Sequence, residues 1–289
     1  MSSAITRRAA ACISACVSLI ASPALAEDGA VPQSGIASTS LCADAYVLAL
    51  APEGGITALS WQVDQPVSAA APWSRSLPRA WPDAARLLEL SPQLTVFGTG
   101  EGGRTARLLE RAGHDSVELS WADDFEGVRN NLIALGAASS RESEADLAIA
   151  EIDQRLARLA ERAAERPRQP RLLYLSVSGG SAGAGTYVDA AINAAGGINV
   201  MAERGAAGWT RSDPELALGL QADIVLTSFF ADGYASTFNR ARRHTAYRRL
   251  LDHPDRAEIP AGVWPCASPR LIDAAELIAD AIDAWERDR

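Results

Sequence analysis

The sequence predicts an α/β protein of two lobes, each built on a mainly parallel sheet, which are joined by one long linker helix. Two blocks, residues 36–135 and 171–285, alternate short β-like runs with helical patterns, which is typical of a parallel sheet wrapped by helices. A single long helical pattern separates the two blocks. With 289 residues, 48% of them hydrophobic, the chain is long enough to bury a substantial core.

The first lobe is expected to cover residues 36–138. Strands are predicted where short apolar and β-branched runs lie between turn signals, and helices where apolar residues recur at helical spacing. The predicted strands are 36–38, 57–61, 94–97 and 116–119, and the predicted helices are 43–50, 83–90, 104–112 and 125–135.

The linker helix is predicted over residues 139–168. Ser139 and Glu142 have the spacing of a capping box, and Pro167 and Pro170 end the helix. Its apolar stripe recurs at intervals of four, three and four residues: Ile152, Leu156, Leu159 and Ala163. A helix of about 25 residues is about 40 Å long and stiff. A cleft between the lobes is therefore expected to be largely pre-formed. The alternative is that this helix packs on one continuous domain.

The second lobe is expected to cover residues 169–289. Its predicted strands are 172–177, 224–228 and 262–264, and its predicted helices are 187–195, 214–220, 237–251 and 269–285.

Residues 1–26 have the three parts of a secretory signal peptide: two arginines, a short apolar run, and the small-x-small cleavage site Ala24-Leu25-Ala26. The run is interrupted by serines and a proline, which argues against a membrane-spanning anchor. Residues 13–16 resemble a lipoprotein box, so a lipid anchor at Cys16 is the alternative. The apolar residues that follow Cys16 favour soluble export, and we expect a periplasmic protein.

The charge of the chain argues against nucleic acid as a partner. All 27 basic residues are Arg, and they stand against 36 acidic residues, so the net charge is −9. Phosphate repels such a chain unless it carries a concentrated basic stripe. The one basic cluster, in residues 240–249, is interpreted as a solvated helix face. Because the sequence has no Lys, it also excludes a Walker-type phosphate loop and Schiff-base chemistry.

A G-x-G-x-x-G motif at residues 98–103 makes an exported dinucleotide-dependent oxidoreductase one alternative. The motif follows a predicted strand and precedes a helix, and Glu118 lies 20 residues after Gly98, as in a dinucleotide fingerprint. However, a strand–helix–strand–helix unit precedes the motif, and an exported protein meets little NAD. A glycine turn at the edge of the cleft is the favoured interpretation.

A G-x-S-x-G motif around Ser181 makes a secreted α/β serine hydrolase the second alternative. It lies between a predicted strand and a helix, and acids such as Asp223 or Asp232 and then His244 or His253 follow in the order that hydrolases use. The surrounding segment is rich in Gly, Ser and Ala, where chance matches are common. Both histidines lie in an Arg-rich region that is typical of a surface.

Six segments in a fixed order around the central helix carry a resemblance to a known family. They are residues 38–44 (STSLCAD), 87–94 (LLELSPQL), 185–199, 209–216, 221–226 (QADIVL) and 264–271 (WPCASPRL). In these segments the chain resembles the substrate-binding proteins of ABC transporters that have a single helical linker, the family that carries vitamin B12, ferric siderophores and haem.

The resemblance implies two Rossmann-like lobes with the ligand bound between them, on loops at the carboxyl ends of the strands. It implies a periplasmic, non-catalytic and monomeric protein that delivers a small metal chelate to a permease and its ATPase at the inner membrane. No resident cofactor is expected, although a ligand of this family can contain cobalt or iron.

The resemblance also implies which residues bind the ligand. They lie on the cleft-side loops or beside them: Cys42, Trp61, Arg104, Tyr187, Phe230, Trp264, Cys266 and Arg270. The four aromatic residues of this set are expected to form walls for a flat, weakly polar chelate. The two cysteines are expected to be, in order of preference, a disulfide, free thiols or soft metal contacts.

Cobalamin and a ferric siderophore are nearly equal as ligand hypotheses. An anionic siderophore would need cations from Arg75, Arg104, Arg211 or Arg270, whereas a corrinoid would rely on the tryptophans. Haem ranks third, because the axial ligand would have to come from a tyrosine. The tyrosines near the predicted cleft are Tyr46, Tyr187 and Tyr234, whereas His114, His244 and His253 lie off it.

The resemblance further implies that one acidic residue on each lobe docks on the permease. In the first lobe the family usually has a Glu before the Ser-Pro-Gln segment, but this chain has Ala85 there. We expect Asp83 to replace it, and Asp273 or Glu276 to serve the second lobe.

Overall fold

The computed structural model describes residues 35–68, 70–176, 179–211, 213–228 and 244–289. The predicted signal peptide, Phe230, Tyr234 and the beginning of the helix predicted over 237–251 lie outside these ranges. No helix in the described ranges combines the length and the apolar character needed to cross a membrane.

The first lobe is a five-stranded parallel sheet in the order β3-β2-β1-β4-β5. Its strands are β1 (Ile36–Ser38), β2 (Ile56–Ser60), β3 (Arg79–Ala80), β4 (Leu94–Phe97) and β5 (Asp115–Glu118). The helices are α1 (Leu41–Leu50), α2 (Ala84–Leu90), α3 (Gly103–Arg111) and α4 (Phe125–Ser139). The sequence predicts every element of this lobe except β3, which has only two residues and no pattern of its own.

Short polar side chains fix where the helices of the first lobe begin. Ser40 accepts a hydrogen bond from the Ala43 amide at the start of α1, and Asp83 accepts one from the Arg86 amide at the start of α2. Asp124 accepts a hydrogen bond from the Gly127 amide at the start of α4. Each cap satisfies a backbone donor that has no partner within its helix, so the loops that precede these helices are held in place.

The linker helix α5 (Glu142–Ala164) has 23 residues and is therefore shorter than predicted. The expected capping box is wrong, because Ser139 is the last residue of α4 and its Oγ donates to the Leu135 carbonyl at 2.6 Å. Ser140 then adopts a left-handed conformation with φ of 54°, and Arg141 precedes the first turn of α5. The helix buries Ala145, Ile152 and Leu159.

The linker helix packs against both lobes rather than crossing solvent as an isolated rod. It contacts α1 and α4 of the first lobe and α6 (Tyr187–Ala194) and α10 (Leu271–Arg287) of the second. Arginines on α5 and just beyond its end form ion pairs with acids of α10, which we call the linker ion pairs: Arg155 with Asp273 and Glu276, Arg162 with Asp280 and Asp283, and Arg166 with Asp283. Residues Gln33–Arg289 consequently form one compact unit that contains both lobes.

The second lobe has a four-stranded parallel sheet in the order β11-β10-β6-β8 and a small antiparallel pair, β7 with β9. Its strands are β6 (Arg171–Ser176), β7 (Gly180–Ala182), β8 (Ile198–Asn199), β9 (Trp209–Arg211), β10 (Ile224–Ser228) and β11 (Arg256–Glu258). Besides α6 and α10, its helices are α7 (Val200–Glu203), α8 (Pro214–Gly219) and α9 (Thr245–Leu251).

One strand of the second lobe is predicted at the wrong place. Residues 262–264 are expected to be a strand, but Ala261–Val263 forms a short 3-10 turn that follows Pro260. The strand lies earlier, at β11, where it pairs in parallel with β10. Its sequence, Arg-Ala-Glu, is mostly charged, so hydrophobic patterning gives no signal for it.

Candidate ligand cavity between the lobes

A cavity of about 430 Å³ opens between the two lobes. In the first lobe it lies at the carboxyl ends of β1 and β4, where the order of the sheet reverses and the following loops diverge. The lining includes Ser40 and Leu41 after β1, and Gly98 and Thr99 after β4. The second lobe contributes Tyr187, Trp209 and residues 265–267.

Two indoles, one from each lobe, line the cavity together with Tyr46 and Tyr187. Trp121 follows β5 and is 69% exposed, and Trp209 begins β9 and is 46% exposed. The Nε1 of Trp121 donates to Asp123 at 2.5 Å, which fixes the orientation of this ring. Trp209 packs edge-to-face on Tyr187, with ring centroids 5.0 Å apart.

Sequence reasoning assigns neither of these tryptophans to the ligand. The available signal for Trp121 is its position two residues after the end of the predicted strand 116–119, which places it on the cleft edge of the sheet. Trp209 lies in one of the segments that carry the family resemblance, so its neighbours already mark it.

The loop with the G-x-G-x-x-G motif uses its own carboxylates as acceptors. Glu118 accepts from the amides of Gly100 and Gly102, at 2.7 and 3.1 Å, and Glu101 accepts from the amide of Gly98 at 3.1 Å. These amides are the donors that would bind a pyrophosphate in a dinucleotide-binding protein. The structure therefore gives the motif an internal role and offers no support for the oxidoreductase alternative.

A disulfide between Cys42 and Cys266 joins the two lobes, as the first of the three expectations for these residues states. Cys42 lies in the first turn of α1, and Cys266 precedes α10 on the facing loop. Their Cα atoms are 6.1 Å apart, which is within the usual range. Both cysteines line the cavity.

A second cavity of about 360 Å³ lies next to the first. Leu41 and Pro265 line both cavities, so the segments that hold the disulfide separate them. Arg155, Arg270 and Asp273 line the second cavity, and both arginines pair with Asp273.

Buried tyrosines of the cavity keep their protons. The Tyr46 hydroxyl donates to the Ala267 carbonyl at 3.1 Å, which is a further link between the lobes, and Asn131 donates to it at 3.4 Å. Burial raises the pKa of Tyr46. Burial, with a contribution from the nearby charge of Asp123, raises the pKa of Tyr187 as well.

Cys42, Tyr187 and Cys266 are the predicted site residues that the structure brings to the main cavity. Phe230 lies outside the described residues. Trp61 does not line the cavity but is 52% exposed in a 3-10 turn after β2, and its neighbour Gln62 lines the cavity instead.

The remaining predicted site residues lie elsewhere. Trp264 is only 1% exposed, because its Nε1 donates to Ser228 Oγ at 3.0 Å and its ring packs edge-on against Tyr174. It is therefore a core residue in this structure and not a cavity wall. Arg104 is exposed on the first turn of α3, and Arg270 lies at the second cavity.

The two acids predicted to dock on the permease have different surroundings. Asp83 is exposed and caps α2 through its Oδ1. Asp273 takes part in the linker ion pairs, with Arg155 at 2.7 Å and Arg270 at 3.0 Å, so its charge is already compensated.

The residues of the hydrolase hypothesis do not form a catalytic triad. Ser181 is fully buried in β7, and its Oγ donates to the Tyr174 carbonyl at 2.7 Å. His244 lies 3.4 Å from Glu215, and the His253 Nδ1 accepts from the Asp255 amide. Asp232 lies outside the described residues. Because a nucleophile needs a base within hydrogen-bonding reach, this geometry argues against hydrolysis.

Two parallel-sheet lobes, a connecting helix and a pre-formed aromatic cavity between the lobes define a solute-binding protein. Comparison with known proteins identifies the particular family. The chain belongs to the periplasmic binding protein family, whose sequence model matches residues 50–262. Proteins of this family bind solutes outside the cytoplasm, which implies the same compartment for this chain.

One curated relative is a cobalamin-binding protein of Halobacterium salinarum, which is 27% identical over 150 residues. The match covers 51% of this chain and 41% of that protein, so the chain spans about two fifths of the length of its curated relative.

Two solved structures illustrate the similarity of the fold. One is the periplasmic haem-binding protein HutB of Vibrio cholerae, with a TM-score of 0.70 and 19% identity, covering 86% of this chain and 99% of that one. The other is the periplasmic vitamin B12-binding protein BtuF of Vibrio cholerae, with a TM-score of 0.64 and 20% identity, covering 89% and 99%. At these identities the likeness shows the fold alone.

Proposed function

We propose that this protein captures a corrinoid, with cobalamin as the reference compound, and delivers it to the permease of an ABC importer. The ligand is bound between the lobes and released without chemical change. The permease and its ATPase at the inner membrane are the proposed partners, and the protein acts as a monomer in the periplasm.

The chemistry of the cavity wall carries this proposal. Trp121 and Trp209 offer aromatic surface from both lobes, and the described lining residues include no Arg and no His. A large, weakly polar macrocycle gains from such a surface. An anionic ferric siderophore would need compensating cations, and none of the four arginines considered for that role lines the cavity.

The tyrosines of the cavity also favour a corrinoid over haem. Haem iron would need an axial ligand, and a phenolate is the form of tyrosine that binds it. Tyr46 already donates to the Ala267 carbonyl. The raised pKa of Tyr187 makes its phenolate unfavourable, because the nearby carboxylate of Asp123 and the burial both oppose a negative charge there.

Calorimetric titration of the purified protein with cyanocobalamin, haem and a ferric siderophore tests the proposal. We expect cyanocobalamin to bind most tightly. Trp121→Ala and Trp209→Ala should each weaken this binding about tenfold, equivalent to about 1.4 kcal/mol. Trp81→Ala is the matched control, because this indole is 43% exposed on the first lobe and does not line the cavity. Preferential binding of the siderophore, or equal effects of all three variants, would contradict the proposal.

We propose Asp83 as the docking acid of the first lobe and Asp273 as that of the second. Asp83 is the better test, because its charge and its capping role can be separated. Asp83→Asn keeps an effective N-cap but removes the charge, so it should slow cobalamin uptake by cells while leaving ligand affinity and thermal stability unchanged. Uptake at the wild-type rate would exclude Asp83 from docking.

A further inference from the structure

The carboxylate of Glu101 is the one ionised side chain among the described residues that line the cavity. The other polar lining residues are neutral: Gln62, Thr99, Asn131 and two serines among them. A buried or half-buried charge in such a setting is screened less than a surface charge. The negative charge of Glu101 therefore directly affects which ligands the cavity binds.

Glu101 is held rigidly at one of its two oxygens. Its Oε2 accepts from Thr39 Oγ1 at 3.0 Å and from the Gly98 amide at 3.1 Å. Within the described ranges, no hydrogen-bond donor reaches the second oxygen, Oε1. The carboxylate is thus positioned by the protein and keeps acceptor capacity for a ligand, since an ionised carboxylate has about four lone-pair sites.

The glycine at position 98 makes this arrangement possible. A Cβ at Gly98 would lie 3.0 Å from Glu101 Oε2 and would collide with Ser40 Oγ. A residue without a side chain leaves room for both the Ser40 hydroxyl and the Glu101 carboxylate. The first glycine of the G-x-G-x-x-G motif is therefore explained by these two close neighbours, of which Ser40 is the nearer.

Among the described residues, the cavity lining brings no cation to Glu101, and a second carboxylate lies near the cavity. Asp123 lies near the cavity, because it binds the Trp121 indole and its charge reaches Tyr187. No Arg in the described part of the chain lines the cavity. A carboxylate-bearing ligand would thus be repelled, whereas a donor N–H would be attracted.

We propose that Glu101 determines which chelates this cavity accepts. This inference rests on the proposed function and adds a specific selection rule. The carboxylate accepts a hydrogen bond from a peripheral amide of a neutral macrocycle, and it disfavours chelates that carry ionised carboxylates. Corrinoids carry such amides, whereas haem carries two propionates.

The affinity ratio between cyanocobalamin and haem tests the inference. In Glu101→Gln the affinity for haem should rise about tenfold, the expected size for removal of one like charge at close range. The affinity for cyanocobalamin should change less. Glu101→Asp should keep the wild-type preference, because it retains the charge. Glu110→Gln is the charge-matched control, because Glu110 is exposed on α3 and outside the cavity.

Ionic strength supplies a second readout. The gain in haem affinity of Glu101→Gln should shrink when salt is raised from about 0.01 M to about 1 M, since the Debye length then falls from roughly 30 to 3 Å. If wild type binds cyanocobalamin but Glu101→Gln and Glu110→Gln have the same affinity ratio, the selection rule is wrong and the proposed function stands. A wild-type protein that binds no corrinoid refutes both.

Discussion

At the scale of single residues, one buried carboxyl ties together the elements beneath the cavity. Asp44 on α1 is 2% exposed and accepts from the Ser60 amide at 2.8 Å, from Ser60 Oγ at 2.5 Å and from Ser38 Oγ. These bonds join α1 to the ends of β1 and β2. Burial outweighs them and raises the pKa of Asp44.

The pH dependence of stability should reveal this carboxyl. A folded-state pKa above the unfolded one contributes stability at low pH that is lost as pH rises through the folded pKa. Asp44→Asn does not titrate, so its melting temperature relative to wild type should rise by about 2 °C or more between acidic and neutral pH. Scanning calorimetry across that range checks this.

Asp64 provides a control of opposite sign. Its hydrogen bonds with Arg79 lower its pKa, so its contribution is present at neutral pH and lost as pH falls through the folded pKa. Asp64→Asn should therefore lose stability relative to wild type toward neutral pH. The same trend in both variants would contradict the assignment for Asp44.

At the scale of elements, the linker helix packs against both lobes, and its ion pairs with the second lobe differ in burial. Arg166, just beyond the end of α5, has a side chain that is only 3% exposed, and it binds Asp283 and the carbonyls of Ala195 and Ala279. Arg162 also binds Asp283, but its side chain is 35% exposed. The Arg166 side chain is thus much more buried than the Arg162 side chain, although both pair with Asp283.

Two variants should separate these degrees of burial. Arg166→Ala removes a nearly buried donor from the Ala195 and Ala279 carbonyls and leaves Asp283 paired with Arg162 alone, so it should lower the free energy of unfolding by about 3 kcal/mol. Arg162→Ala should cost about 1 kcal/mol or less, because solvent screens an exposed pair. Urea denaturation measures both values. Equal losses would mean that burial does not decide the strength of the linker ion pairs.

At the scale of the whole molecule, the disulfide is the covalent bond that closes the chain between its lobes. It encloses 224 residues, and a cross-link over so long a loop restricts the unfolded chain strongly. The double variant Cys42→Ser/Cys266→Ser should lose about 3 kcal/mol of stability by urea denaturation.

Reductant serves as the internal control for this prediction. A thiol reductant should lower the stability of wild type to that of the double variant and leave the double variant unchanged. Reaction of native wild type with a maleimide in the absence of reductant, located at Cys42 or Cys266 by mass spectrometry, would show that these two cysteines are free.

The arrangement of the two lobes follows from the sequence, whereas the lining of the cavity follows only in part. Hydrophobic periodicity places nearly every long helix and strand, because both lobes are built from regular alternation. It misses β3, β7, β8, β9 and β11, which have only two or three residues each and owe their structure to neighbouring strands.

The burial of each tryptophan depends on contacts that are distant in sequence. Trp264 is buried in the core, where it contacts Ser228 and Tyr174. Trp61 lies in the 3-10 turn after β2 and does not line the cavity. Trp61 and Trp264 also lie at the ends of predicted strands, so position beside a strand does not separate them from Trp121. Conversely, the position of both cysteines on facing loops is accessible from the family resemblance, and the disulfide agrees with it.

The cross-link and the linker helix attach one lobe to the other at two separate points. Both attachments are made by the protein alone. The gap between the exposed indoles Trp121 and Trp209 is therefore set by the chain itself.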